Sequence, residues 1–144
     1  RYMNKISGPL LDRIDIQCEI SPVPFKDISK AAPGEPSARI RERVIRAREI
    51  QAERFKDFKG IHCNAQMTER MIHKFAEPTE EGINLLRMAM EKLSLSARAY
   101  NRILKVARTI ADLAGSQQIE PQHLAEAIGY RTLDRGDWAE RGHF

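Results

Sequence analysis

The sequence predicts a mainly α-helical protein whose helical bundle is preceded by one short strand and a loop-rich stretch. Three observations support this prediction. Five of the seven prolines lie between Pro9 and Pro36, so the first quarter of the chain is rich in loops. Residues 14–20, IDIQCEI, alternate apolar and polar side chains, which is typical of a strand with one apolar face. From Ser37 onward, apolar residues recur at helical spacing.

Composition is that of a globular protein with a hydrophobic core. The 144 residues are 42% apolar and 31% charged. No run approaches the ~18 apolar residues of a membrane span, and no secretory signal pattern is present, so we expect a cytoplasmic protein without a membrane partner. The first residues, RYMNKISG, lack an initiator methionine, and we expect a piece of a longer protein. The net charge of +4 permits a nucleic-acid or phosphate partner without requiring one.

The two cysteines do not form a metal-binding pattern. Cys18 and Cys63 are far apart in the sequence, and His62 beside Cys63 has no second pair of ligands nearby. We therefore expect no metal ion and two reduced thiols.

The opening stretch SGPLLDR predicts a turn and a short apolar helix that leave Arg13 at the junction with the strand. Neighbouring residues fix the backbone of Arg13 while its side chain stays free. An ion pair with Asp12 or Asp15 is the ordinary interpretation, and the residues alone favour it. The alternative is that the guanidinium binds a ligand.

The rest of the chain predicts one long helix and a bundle of about four more. Residues 37–59 contain neither glycine nor proline and form an amphipathic helix with Ser37 as its cap. Its arginines fit either phosphate binding or a solvated face with Glu–Arg pairs, and we favour the solvated face: Arg39, Arg41, Arg43, Arg46 and Arg48. The bundle helices are marked by caps and by a proline in a first turn: Thr68, Thr79, Ser96 and Pro121.

The helix that follows Ser96 carries the second candidate residue. Arg98, Arg102 and Lys105 form one polar stripe, for which solvation and anion binding are equally good interpretations. Arg98 lies in the first turn, where the helix dipole disfavours a cation by a few tenths of a kcal/mol. A residue placed against local stability is a functional candidate, and a guanidinium beside free helix N–H groups suits a phosphate.

Two blocks, ISGPLLDRIDI and LSLSARAYNRILKVARTIADLAGSQQIEPQHLAEAIGYR, resemble the C-terminal part of the magnesium-chelatase-like AAA+ ATPases. The ComM (YifB) family, a group of competence-associated helicases, is the most similar. The resemblance covers residues 3 to about 135, although the linker at 22–37 and the tail from 136 are not diagnostic. It implies three parts: the end of the ATPase core at 1–36, a helical lid at 37–135, and a tail at 136–144.

The resemblance also implies roles for the candidate residues. Such ATPases form rings, expected here to be hexamers, with ATP bound between subunits. Arg13 of LLDR would be the arginine finger that reaches the ATP of the next subunit, and residues 14–20 would be the last strand of the core sheet. Arg98 of SAR would be sensor 2, which detects the γ-phosphate from the lid. A finger supplied from another surface can be worth roughly 10³–10⁵ in rate.

ATP and Mg²⁺ are then expected only in the full-length parent protein. The sequence contains no G-x-x-x-x-G-K-[ST] loop and no apolar strand ending in paired acidic residues. The fragment should therefore bind no cofactor and hydrolyse nothing alone. For the parent, the resemblance implies DNA as a partner, through branch migration in competence and recombination. Chelatase subunits of the same family instead drive metal insertion into a porphyrin.

Two other functions remain open from the sequence. The chain could be a free-standing helical module that binds nucleic acid through its basic stripes, or a purely structural interaction domain. The small charge excess argues against the module. The orphan strand argues against both, because one isolated strand leaves its backbone groups unpaired.

Overall fold

The computed structural model describes residues 5–131 of the chain. Within that range it contains the 3₁₀ turn Asn64–Gln66 and seven α-helices: α1 Gly8–Asp12, α2 Phe25–Ser29, α3 Ser37–Phe55, α4 Glu69–Phe75, α5 Glu80–Lys92, α6 Ala97–Leu113 and α7 Pro121–Gly129. The predicted mainly α-helical fold is confirmed, with α4 to α7 as the four bundle helices that follow the long helix. The sequence did not predict α2, which interrupts the proline-rich stretch.

Local capping chemistry fixes the starts of the bundle helices where the sequence predicted them. The side chains of Thr68, Thr79 and Ser96 each accept the backbone N–H three residues further on, at 3.4, 3.2 and 3.2 Å. Pro121 occupies the first position of α7, behind the N-cap residue Glu120.

The long helix is shorter than predicted. It ends at Phe55, and the chain then turns through Gly60, whose φ of +79° lies in the left-handed region that glycine adopts without strain. The turn brings Phe58 into edge-on contact with both Phe55 and Phe75, with ring centroids 6.5 and 5.7 Å apart. At the other end Pro36 precedes the helix, and Ser37 is its first residue rather than its cap.

The core is built around α6. The apolar spacing of this helix predicts one buried face, and that face lies in the core: Ala99, Ile103, Ala107 and Ala111 are fully buried, and Tyr100 and Ile110 are partly buried. Helices α3, α4 and α7 pack against α6, and α5 packs against α7. Because α6 lies at the centre of the bundle, its N-terminal end is a rigid base for whatever the first turn carries.

The strand predicted at residues 14–20 is wrong: the described residues form no strand there. A strand needs a neighbour to pair with, and the backbone N–H of Gln17 instead donates to the carbonyl of Tyr130 at 2.8 Å. The predicted apolar face is not buried either, since Ile16 and Ile20 are 53% and 90% exposed, and Gln17 is the one residue of this stretch that is buried.

Residues 132–135 of the predicted lid and the tail at 136–144 lie outside the described residues. The boundary at 135 lies among them, and the boundary at 36 likewise stays a prediction. Within residues 5–131, no helix has the length and apolar character needed to cross a membrane.

Candidate functional site

Arg13 ends helix α1 and is exposed. Its backbone N–H donates to the carbonyl of Leu10 at 3.1 Å, so its backbone is held in the last turn of the helix. The ion pair that the sequence favoured does not form, because Asp12 accepts a hydrogen bond from Ser96 and Asp15 pairs with Arg102. Within the described part of the chain, the Arg13 guanidinium has no hydrogen bond or ion pair.

Arg98 is the second residue of α6 and is likewise exposed. Ser96 caps the helix immediately before it. The guanidinium makes no side-chain hydrogen bond or ion pair with residues 5–131. It therefore keeps its five donors available beside the free N–H groups of the first turn.

One hydroxyl brings the two arginine-bearing segments together. Ser96 Oγ donates to Asp12 Oδ2 at 3.1 Å while it accepts the N–H of Ala99 at 3.2 Å. The residue before Arg13 is thus bonded to the cap of the helix that carries Arg98. The structure places both candidate arginines at the same end of the bundle, on segments that lie side by side.

The other cations of the α6 stripe are engaged within the molecule. Arg102 pairs with Asp15 at 2.6 Å, which is a second link between α6 and the segment after Arg13. Lys105 Nζ donates to the carbonyl of Ala65 at 3.1 Å. Of the three residues of the stripe, Arg98 is the one whose cationic group has no such bond within residues 5–131.

A third link, which the sequence did not reveal, comes from Arg131 at the end of α7. Its side chain is buried and donates to the carbonyl oxygens of Ile14 and Asp12 at 2.8 and 3.1 Å. These two carbonyls flank Arg13. The bonds join residues 117 and 119 positions apart, and no local pattern marks such a contact.

A buried ionic cluster, also missed from the sequence, fixes α3 against α6. Arg54 donates to both carboxylate oxygens of Asp112, at 2.6 and 2.8 Å, and to Asn64 Oδ1 at 2.9 Å. Arg108 Nε donates to the same carboxylate at 3.2 Å. Burial lowers the pKa of the Arg108 guanidinium from its ordinary value, and the Asp112 charge acts in the opposite direction. Two cations thus share one fully buried carboxylate.

The arginines of the first turns of α3 lie on the surface. Arg43 pairs with Glu35, and the remaining arginines of the predicted solvated face are exposed: Arg39, Arg41, Arg46 and Arg48. Beside this helix, a groove of about 620 Å³ is lined mainly by apolar side chains such as Ile40, Val44 and Ile110. Neither Arg13 nor Arg98 lines it. Both arginines are instead exposed outside this groove.

The chemistry that this surface offers is positive charge. In the region that the structure describes, no three His, Cys, Asp or Glu side chains are grouped so that they could hold a metal ion. Two exposed guanidinium groups at one end of the bundle suit phosphate oxygens, which accept their planar donor forks.

Comparison with protein families defines the class. The family described as magnesium chelatase, subunit ChlI C-terminal, matches residues 34–131, and the family described as magnesium chelatase, subunit ChlI, matches residues 1–28. The chain belongs to the magnesium-chelatase-like family.

Individual proteins are similar to the chain over most of its length. Competence protein ComM of Haemophilus influenzae is 45% identical over 136 residues, which is 94% of this chain. The protein YifB of Escherichia coli is 43% identical over the same length, and an uncharacterized protein of Mycobacterium tuberculosis is 35% identical over 91% of the chain. The chain spans about a quarter, 26%, of the length of each of these relatives.

Proposed function

We propose that the chain is the C-terminal part of a ring-forming AAA+ ATPase, in which Arg13 serves the ATP of the neighbouring subunit as arginine finger and Arg98 acts as sensor 2. The observation that carries the proposal is the bond from Ser96 to Asp12. It holds two exposed arginines at one end of the bundle, and neither of them pairs with an acidic side chain within residues 5–131.

The chemistry of phosphoryl transfer calls for such groups. Negative charge spreads over the γ-phosphate oxygens in the transition state, and a guanidinium neutralises it with a planar fork of donors. Arg13 and Arg98 stand on open surface, which suits a nucleotide presented by another surface of the assembly. In this proposal the chain contributes two positively charged guanidinium groups at fixed positions. The nucleotide-binding loop and the Mg²⁺ ligands are assigned to the rest of the parent protein.

The proximity of the two segments also bears on which ATP Arg98 serves. If Arg13 reaches the ATP of a neighbouring subunit, Arg98 lies at the same end of the bundle as that finger. We infer that both arginines act on one nucleotide across one subunit boundary. Asp12 and Ser96, which join the two segments, then belong to the same interface.

The task of the motor is proposed from similarity. The Haemophilus influenzae relative is named a competence protein. Together with the resemblance of the two sequence blocks, this supports a cytoplasmic hexamer that remodels DNA by branch migration. The free-standing nucleic-acid-binding module is less well supported, because Arg102 and Lys105 of its proposed basic stripe are bonded within the molecule.

Substitution of the two arginines in the full-length parent tests the proposal. We expect Arg13→Ala to keep ATP binding within a few-fold and to reduce hydrolysis about 10³-fold or more. Arg98→Ala should reduce both ATP affinity and turnover. Arg41→Ala, which removes an exposed arginine of α3, is the matched control and should change neither.

Two results would overturn the proposal. Hydrolysis by Arg13→Ala within a few-fold of the unsubstituted protein would remove the finger assignment, and unchanged ATP affinity and turnover in Arg98→Ala would remove sensor 2. If the 144-residue chain alone binds DNA, with an affinity that falls steeply as salt rises, the nucleic-acid-binding module becomes the better account.

A further inference from the structure

We propose that Arg131 is a positioning residue for Arg13: it fixes the direction in which the Arg13 side chain leaves the surface. The inference rests on the proposed function, because the direction of the Arg13 side chain affects turnover only if Arg13 contacts a reacting group. It extends that function to a residue that follows α7, more than 100 positions after Arg13 in the sequence.

Two hydrogen bonds of the Arg131 side chain form a clamp on the backbone on both sides of Arg13. Nη2 donates to the carbonyl of Asp12, which belongs to the peptide that enters Arg13, and Nη1 donates to the carbonyl of Ile14, one residue beyond it. The Cα of Arg13 lies between two peptide groups that one rigid guanidinium holds. Rotation of the turn would break at least one of the two bonds.

Arg131, which forms the clamp, is itself held in place. Arg131 is 1% exposed, and its backbone N–H donates to the carbonyl of Ile128 in the last turn of α7. The preceding residue, Tyr130, accepts the N–H of Gln17 at 2.8 Å, so the chain beyond Ile14 is tied to the same helix end. Hydrogen bonds from a charged donor are roughly twice as strong as neutral ones.

The clamp joins two parts of the chain that match different family models. Arg13 lies in the segment matched at 1–28, and Arg131 is the last residue of the segment matched at 34–131. The helical region therefore sets the position of a residue that belongs to the other segment. A catalytic group displaced by about 1 Å can lose roughly 100-fold in rate, so this support is expected to be visible in turnover.

The test uses ATP hydrolysis and ATP binding by the full-length parent carrying Arg131→Met. We expect kcat to fall about 100-fold or more while ATP affinity stays within a few-fold, as for Arg13→Ala. Amide hydrogen exchange in residues 11–17 should accelerate. Arg131→Lys keeps the charge but cannot bond both carbonyls as a planar fork, so its kcat should be intermediate.

Arg108→Met is the matched control. Arg108 is also a buried arginine that donates to two backbone carbonyls, those of Ser116 and Gln117, at 2.7 and 2.8 Å. Its loss should destabilise the bundle without a selective loss of kcat. If Arg108→Met lowers kcat as much as Arg131→Met does, the effect is general destabilisation and the positioning role is refuted.

Mixed rings supply a readout that a merely structural role would not give. Subunits with Arg131→Met should regain hydrolysis when mixed with subunits whose nucleotide-binding loop is disabled, and should not regain it with Arg13→Ala subunits. Recovery with Arg13→Ala would place the defect outside the finger and overturn the inference. If Arg131→Met does not fold, Arg131→Lys decides, and unchanged turnover in that variant overturns it.

The outcome for Arg13 separates the two proposals. If Arg13→Ala itself retains hydrolysis, the proposed function fails. If Arg13→Ala loses hydrolysis and Arg131→Met keeps it, the finger stands and the positioning role alone is refuted.

Discussion

The hydroxyl of Ser96 lies 3.1 Å from a carboxylate oxygen of Asp12, across 84 positions of sequence. The same hydroxyl caps α6 through the N–H of Ala99. One side chain therefore starts the helix that carries Arg98 and holds the segment that carries Arg13. Arg102 and Arg131 add two further links to that segment, at Asp15 and at the carbonyls of Asp12 and Ile14.

Substitution of Ser96 by alanine should cost more stability than the loss of an ordinary cap. Thr79→Ala is the matched control, because Thr79 caps α5 at the same 3.2 Å distance. Removal of a cap costs typically about 1 kcal/mol. Ser96→Ala also removes a hydrogen bond to a charged acceptor, so we expect about 1–2 kcal/mol more. Urea unfolding of the two variants measures the difference, and equal losses would show that the Asp12 bond contributes nothing.

Substitution of Asp112 by alanine should strongly destabilise the bundle. Arg54 and Arg108 would then face each other without the buried carboxylate that both contact. Removal of one member of a buried ionic group costs about 3–5 kcal/mol. Asp15→Ala, at the exposed pair with Arg102, is the control and should cost less than about 1 kcal/mol. Thermal or urea unfolding compares them, and similar losses would contradict a structural role for the buried cluster.

The hydroxyl of Tyr130 should titrate above the ordinary phenol value of about 10. Its hydrogen bond to Glu126, at 3.2 Å, raises the pKa of Tyr130, with the Glu126 charge acting in the same direction. Because the folded-state pKa is the higher one, this bond stabilises the fold below the unfolded pKa, and the stabilisation is lost as pH rises through the folded pKa. Phenolate absorbance should show the shift, and Glu126→Gln should reduce it. A titration unchanged by that substitution would contradict the assignment.

Features set by neighbouring residues were predictable from the sequence. Thr68, Thr79 and Ser96 cap their helices as predicted, because a cap depends on residues only three positions away. The apolar face of α6 was predictable for the same reason, since it follows from spacing alone. The strand at 14–20 was not, because alternation describes a chain that has a pairing neighbour, and Gln17 bonds to Tyr130 instead.

The candidate site could likewise be predicted only in part from the sequence. Arg13 and Arg98 were singled out from their positions and from the resemblance to a known family. From local sequence alone, an ion pair of Arg13 with Asp12 or Asp15 was the better interpretation, and distant residues decided against it: Ser96 binds the first acid and Arg102 the second. Arg131 could not be found in this way, because its acceptors are backbone carbonyls.

Mixed rings of the full-length parent test most directly whether Arg13 acts across a subunit boundary. One subunit carries Arg13→Ala, and the other carries a disabled nucleotide-binding loop. Each is assayed for ATP hydrolysis alone and after mixing. We predict that both are inactive alone and that mixing restores hydrolysis, because an intact finger then meets an intact nucleotide site at some boundaries. Full activity of Arg13→Ala alone, or inactivity that mixing does not relieve, would contradict this role of Arg13.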